Sequence, residues 1–209
     1  SPDQFDGIAR YYDPIMEHVD YDRWFRTVSA LGDLLPGGFR HLDAACGTGT
    51  LLHMLRQDGW NSIGVDLSPA MLHAARKKHP ALPVAVADLR ALPVCGSVDL
   101  ITCLFDSMNF LLEDDGPAAA LRAFAAALRP GGILYFDIVT ERMVTDHFED
   151  KYWTECNATF KTTWTSAYDR ATGVVDTGIR INTGAEAVVR ERIHPTARFV
   201  DGIAAAGLR

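Results

Sequence analysis

The chain has 209 residues, 48% hydrophobic and 22% charged, with a formal net charge of −7, enough for one domain with a full apolar core. That acidity, without any dense Lys/Arg run, excludes an extended phosphate-binding surface and makes nucleic acid an unexpected partner. No apolar run approaches the roughly 20 residues of a bilayer crossing and no basic-then-apolar leader opens the chain, so it reads as soluble and cytoplasmic, with no membrane partner.

Short apolar runs alternate with amphipathic segments, the pattern of βαβ units around a parallel sheet. A helical region is predicted through YYDPIMEHVDYDRWFRTVSALGDLL, stopping at Pro36-Gly37-Gly38 where a helix cannot easily continue. Strand FRHLDAA follows, then a helix from Leu51 to Gln57 ended by Gly59, then strand NSIGVD. Ser68 can cap the next helix with Pro69 in its first turn, and Lys77, Lys78 and His79 suit its C-terminal dipole. PVAVAD and VDLITCLF read as strands three and four, DDGPAAALRAFAAALRPGG as a helix stopped by Pro130-Gly131-Gly132, and ILYFDIV as strand five. Past Glu141 the period falls to two in ATFKTTWTSAY, VVDTGIRIN and AEAVVRERI, which predicts an antiparallel meander. Cys46, Cys95, Cys103 and Cys156 have neither CxxC nor metal-ligand spacing and read as reduced, mostly buried thiols, so no metal site is expected.

In a doubly wound sheet the ligand lies outside the carboxyl ends of the strands. Those ends carry Asp43 with its loop, Asp66, Asp88, and Leu104 to Asn109. Gly47 and Gly49 permit left-handed backbone and close approach of a ligand, while the helix that follows offers free N–H groups. A dinucleotide fingerprint needs a third glycine where this chain has Leu52. A pyrophosphate about 4 Å from Asp43 would also meet repulsion of about 4 kcal/mol at an effective dielectric of 20. The loop suits a cation instead. Asp66 can accept both hydroxyls of a ribose, and Asp88 can accept from an adenine amino group.

LDAACGTG, GVDLSPAML and VAVADLRALP, in this order and spacing, resemble the cofactor-binding segments of class I S-adenosylmethionine-dependent methyltransferases, over roughly Phe5 to Ile138. The resemblance implies a Rossmann-like fold, S-adenosylmethionine as cofactor and S-adenosylhomocysteine as product. It implies that Asp43 faces the methionine amino group, that the loop Ala45, Gly47, Thr48 and Gly49 passes beneath the cofactor, and that Asp66 takes the ribose hydroxyls. Asp88 then takes the adenine amino group, Leu67, Met71 and Leu89 seat the ring, Leu104 borders the site, and Tyr11 or Tyr12 closes over the methionine end. Ala45 departs from the family, where glycine is common. The organisation expected is a single α/β domain: a helical cap at 1–36, a cofactor-binding, doubly wound, mostly parallel core at 37–140 with helices on both faces, and an antiparallel insertion at 141–194. Residues 195–209 open a C-terminal part. AAAGLR is where a sixth strand normally begins, so either the chain given stops short of strands six and seven or the meander closes the sheet, and the former is expected.

Methyl transfer is an in-line displacement, so the acceptor belongs over the end of strand four, at LFDSMNFL. An amine arrives mostly protonated at neutral pH and needs a base. Asp106 is the first candidate, with capping of the next turn as its competing role, and His194 beside the meander is the second. His147, Tyr152 and Trp153 could line the mouth, while Arg180, Arg190 and Arg192 read as solvated strand residues. The Asn/Asp-Pro-Pro-Tyr/Phe signature for planar amino groups is absent. The segments DSMNF, LRPGG and HPTARFVDGIAAAGL look instead like small-molecule enzymes, including nucleotide-sugar amine N-methyltransferases. A small-molecule acceptor is expected, amine nitrogen ahead of hydroxyl oxygen. The alternatives are a non-catalytic S-adenosylmethionine-binding partner subunit and a nicotinamide oxidoreductase. The sequence leaves the oligomeric state open, a homodimer included.

Overall fold

The computed structural model of the chain describes residues 3–209. A 3-10 turn at Ala9–Tyr11 leads into one turn of helix, α1 (Tyr12–Ile15), and then α2 (Tyr21–Gly32). The predicted continuous N-terminal helix is thus interrupted. Asp20 is the reason, because its carboxylate accepts from the Arg23 N–H at 2.8 Å and starts α2 afresh. The core runs β1 (Arg40–Ala44), α3 (Thr50–Gln57), β2 (Asn61–Asp66), α4 (Pro69–Lys78), β3 (Val84–Val86), β4 (Val98–Cys103), a 3-10 turn at Ser107–Phe110, α5 (Gly116–Ala127) and β5 (Leu128–Phe136). Ser68 does cap α4, accepting from Met71 N–H at 3.0 Å, with Pro69 in the first turn.

The five strands are parallel in the order β3-β2-β1-β4-β5. The chain therefore reverses its winding between β1 and β4, and the crevice at their carboxyl ends is the natural ligand site. Alternation on the strands feeds two apolar layers. Leu100 packs with Val28, Leu51 and Leu55 under α2 and α3, whereas its neighbour Ile101 packs with Leu121, Phe124 and Phe199 on the opposite face. Helix α5 ends earlier than predicted, since Leu128 is already paired with Val98 and a register shift follows before Leu100 meets Ile133.

After β5 a helical stretch, α6 (Glu141–Met143) continued by a π turn to Phe148, was not legible as such. Four antiparallel strands follow in sequence order, β6 (Tyr152–Cys156), β7 (Lys161–Asp169), β8 (Val174–Ile181) and β9 (Glu186–Arg192). This is a separate sheet and does not close the parallel one. The chain then forms α7 (Thr196–Ala205), packed on α5, so residues 204–209 end a helix and do not begin a sixth strand. The thiols are all free, but only Cys103 is buried, Cys46 is half-buried, and Cys95 and Cys156 are exposed, contrary to the expectation of mostly buried cysteines.

The N-terminal cap and the antiparallel sheet share an apolar cluster of Ile8, Ile15, Phe160, Ile179, Ile181 and Val189. Gly7 allows the two to close, since a Cβ there would overlap the Glu186 carbonyl oxygen. Gly7→Ala is expected to lower stability by about 1–3 kcal/mol through that backbone overlap. Gly37→Ala, with open space around it, serves as the control. Equal melting temperatures for the two variants would contradict the packing described.

Candidate active site

The β1 end presents Asp43, buried at 5% exposure, in register with Gly64 on β2 and Thr102 on β4. Thr102 Oγ1 donates to Asp43 Oδ1 at 2.8 Å, and no other hydrogen bond reaches this carboxyl among the described residues. Burial pushes its pKa up to about 7 against the Thr102 bond that lowers it, and the nearby Asp66 charge raises it further. The loop beyond turns through positive φ at Ala45 (61°), Gly47 (54°) and Gly49 (73°). Only Ala45 carries a side chain there, a strain of about 1–2 kcal/mol that glycine would avoid. Met71 Cε, at 3.4 Å, is the sole atom within 4 Å of where a Gly47 Cβ would stand, so the loop is open above it. Asp66, at the β2 end, ties this loop down by accepting from Gly47 N–H and Ser68 N–H, each at 2.8 Å. Its pKa is raised by burial despite those bonds.

The β4 end holds Asp106. Phe105 and Asp106 both have positive φ, 58° and 54°, which costs about 1–3 kcal/mol per non-glycine residue. The twist sends the Phe105 ring outward onto Tyr21 and Trp24, with ring centres 5.5 and 5.2 Å apart, while Asp106 is half-buried. Asp106 N–H donates to Asp137 Oδ1 at 3.2 Å. Its carboxyl lies near enough to that of Glu191, from β9, for each to shift the other's proton affinity. Two carboxyl groups can bond each other only through a shared proton, and among the described residues no hydrogen-bond donor reaches the buried Glu191 Oε1. Burial, then the Asp106 charge, raises Glu191 to about 9, while burial, then Asp106, raises Asp137 to about 6. Sequence reasoning missed Glu191, which lies 85 positions after Asp106 with only an alternating strand to mark it. It also missed Asn109. This fully buried amide donates to the carbonyls of Val139 (3.1 Å) and Arg192 (2.9 Å) and accepts from Val139 N–H (2.9 Å). That clamp joins the β4 end to the exit of β5 and to β9, which is how Glu191 comes to face Asp106.

Asp13 fastens the cap over the loop, accepting from Thr48 and Thr50 hydroxyls and pairing with Lys78 at 2.6 Å. Tyr12 is thereby buried among Tyr21, Asp106, Asp66 and Asp13, and desolvation followed by their charges raises its pKa. Tyr11 points elsewhere, its hydroxyl accepting from Thr183 at 3.0 Å and its ring edge-on to Phe160. Met71, Leu89 and Leu104 are core residues at 3%, 8% and 3% exposure, and Leu67 is 62% exposed. Asp88 is engaged by Arg90 in a forked pair, with Glu113 on the other side of Arg90, and its pKa is lowered by that bond. His194 lies within 2.7 Å of the Leu111 carbonyl through Nε2 and packs edge-on to Phe199. The charges around it are Arg192, Arg198 and Asp114, without Asp106. Arg190 pairs with Asp176, Arg192 with Asp114, and Arg180 with Glu186. Trp153 stacks on Trp164 at 5.5 Å, and Tyr152 is exposed.

Asp43, Asp137 and Glu191 each hold a proton more tightly folded than unfolded. The stability each contributes is complete below its unfolded pKa and is lost as pH rises through its folded value of about 7, 6 and 9 respectively. Buried His41 acts oppositely: burial lowers it from 6.5 to about 3, so stability falls as pH drops through that window. Summed over these four groups, the ligand-free protein is expected to be most stable near about pH 4 and to weaken from there toward pH 9, by about 1.4 kcal/mol per pH unit for each net proton that the folded state retains over the unfolded one. Scanning calorimetry across this range checks the assignment, and a melting temperature rising from pH 6.5 to 9 would contradict it.

Comparison with known proteins supplies the wider setting. A family profile described as a methyltransferase domain matches residues 42–132. Putative methyltransferases YqeM of Bacillus subtilis (strain 168) and GWCH70_2453 of Geobacillus sp. (strain WCH70) are each 30% identical over 166 residues. The alignments cover 78% and 77% of this chain and 66% and 67% of the relatives, so the chain spans about two thirds of their length. The crystal structure of the sugar N-methyltransferase KedS8 from Streptoalloteichus sp. ATCC 53650 superposes with a TM-score of 0.74 at 28% identity, covering 94% of this chain and 83% of that one. The parallel sheet, the Asp43 loop and these similarities together establish that the chain belongs to the class I S-adenosylmethionine-dependent methyltransferases.

Proposed function

We propose that this chain transfers a methyl group from S-adenosylmethionine to an amine nitrogen of a small molecule. The Asp106–Glu191 pair carries the reading. Two half-buried carboxyls, one beyond the end of β4 and one on β9, the second with an oxygen that no donor reaches among the described residues, form a site that a cation completes. The 28% identical sugar N-methyltransferase supports the same class of acceptor.

The residues present suit the cofactor. Asp43 has an oxygen free of protein donors beside an open glycine loop, as an ammonium and a sulfonium require. Asp66 is placed for the ribose hydroxyls with lone pairs remaining beyond its two backbone bonds. Asp88, with Arg90, stands at the adenine end, Leu67, Met71 and Leu89 flank the ring, and Tyr12 covers the methionine end. When bound, the cofactor supplies an electrophilic methyl group. The chain's own part is to hold the acceptor ammonium between Asp106 and Glu191 and to take a proton from its nitrogen onto the pair, which leaves the lone pair free for displacement. On one face of the antiparallel sheet, Trp164 and Ser166 stand with Glu191, and Trp164 Nε1 and Ser166 Oγ are buried with no partner among the described residues. They suit polar groups of the acceptor. Four free thiols fit a cytoplasmic setting.

Asp106→Asn and Glu191→Gln are each expected to lower amine turnover by about 10²- to 10⁴-fold with little change in cofactor affinity. The defect should narrow as pH rises, because more of the amine arrives neutral. The assay is a screen of amines and hydroxylated aromatics, read by mass gain. Transfer to hydroxyls with amines inert, or full amine turnover in both variants, would overturn the reading.

A further inference from the structure

Behind Asp43 lies a run of buried polar groups that cofactor binding alone does not explain. His41 is 1% exposed, and its ring nitrogens reach Ser62 Oγ (Nδ1, 3.0 Å) and Thr102 Oγ1 (Nε2, 2.9 Å). Thr102 Oγ1 in turn donates to Asp43 Oδ1 at 2.8 Å. His41 and Asp43 are two apart on β1, Ser62 is in register with His41, and Thr102 is in register with Asp43. Neighbouring positions in register share a face, so the four side chains form one line across β2, β1 and β4. Trp60 closes the line edge-on to His41 at 5.5 Å.

The donors and acceptors have one consistent order when Asp43 bears its charge. A carboxylate only accepts, so Thr102 gives it the hydroxyl proton. The Thr102 oxygen then accepts from His41 Nε2–H, which leaves Nδ1 bare to accept from Ser62. An apolar trio would serve the sheet as well, since replacing all partners in a buried network by apolar groups is nearly neutral. The network's specific effect therefore falls on Asp43.

We propose that His41, through Thr102 and backed by Ser62, is a positioning residue that holds the Asp43 carboxyl in its charged, ligand-facing form for the cationic end of the cofactor. This rests on the cofactor role of Asp43 given above. The other ionisable groups around Asp43 are Asp66 on β2, Cys46 in the loop, Cys103 on β4 and Tyr21 on α2. None supplies a positive charge, so the hydroxyl relay is the chain's own means of favouring the ionised form of Asp43 against its burial.

Two readouts test this. In ligand-free protein, the Asp43 carboxyl is followed by carbon NMR against pH, and the His41 tautomer by nitrogen NMR at high pH. The expected results are an Asp43 midpoint near 7 in the wild type, an Nε2–H tautomer, and midpoints about one pH unit or more higher in Thr102→Val and His41→Leu. Calorimetric binding of S-adenosylmethionine should then weaken about 10- to 100-fold near neutral pH in both variants and converge on the wild type at higher pH. His41→Gln, which retains an N–H for Thr102, should recover most of the affinity. Variants that remain folded by melting temperature yet leave the Asp43 midpoint unmoved, or an Nδ1–H tautomer, would overturn the relay. Should Asp43→Asn bind the cofactor as tightly as the wild type while the midpoints shift as expected, the cofactor role of Asp43 fails and the relay stands.

Discussion

A carboxylate taken out of water loses hydration worth several kcal/mol, which the protein must replace with hydrogen bonds or an opposite charge. The carboxyl edge of the parallel sheet carries three such groups, Asp43, Asp66 and Asp106, and β9 adds Glu191; the four raised pKa values share burial as their first cause. Partial compensation comes from the chain. Asp66 receives two backbone N–H groups, Asp43 one hydroxyl, and Glu191 only what it shares with Asp106. The remainder is an unmet demand for positive charge. On the proposed reading, the cofactor's sulfonium and ammonium and then the acceptor amine would meet it, which would make cofactor and acceptor part of the electrostatic balance of the fold.

Much of the architecture holds these groups dry and close. Parallel strands deliver Asp43 and Asp106 to neighbouring strand ends because β1 and β4 flank the point where winding reverses. Strain at Phe105 and Asp106 is held by the packing of Phe105 against α2, and it aims one ring outward and one carboxyl inward. Asn109 then fixes the distance to β9. Asp13, bridging the Thr48 hydroxyl and Lys78, draws Tyr12 down over the same space. Each device is local, yet all bear on the carboxyl ends of β1 and β4.

The parallel core was largely legible because its signals are local. Strand NSIGVD, the Ser68-Pro69 start of α4 and the acids at strand ends depend on neighbours in sequence, and the structure places them as read. Legibility failed where distant contacts decide. Leu128 leaves its helix for Val98, Tyr152–Cys156 becomes a strand by pairing with β7, and Ala204 and Ala205 stay helical through α7 on α5. The candidate site shows the same division. Asp106 was found from its strand end, whereas Glu191 and Asn109 owe their roles to partners 85 and 83 positions away. His41 was passed over because a histidine inside a strand reads as packing until Ser62 and Thr102 are seen on either side of it.

If the edge of the parallel sheet holds acids that ionise when a cation arrives, cofactor binding must release protons. Titrating S-adenosylmethionine into the protein at about pH 6.5, in buffers of different ionisation enthalpy, measures the number of protons exchanged. With Asp43 titrating near 7, a substantial fraction of one proton should be released at that pH, falling to about a tenth or less by pH 8. Binding without proton release at pH 6.5, or with net uptake, would contradict it.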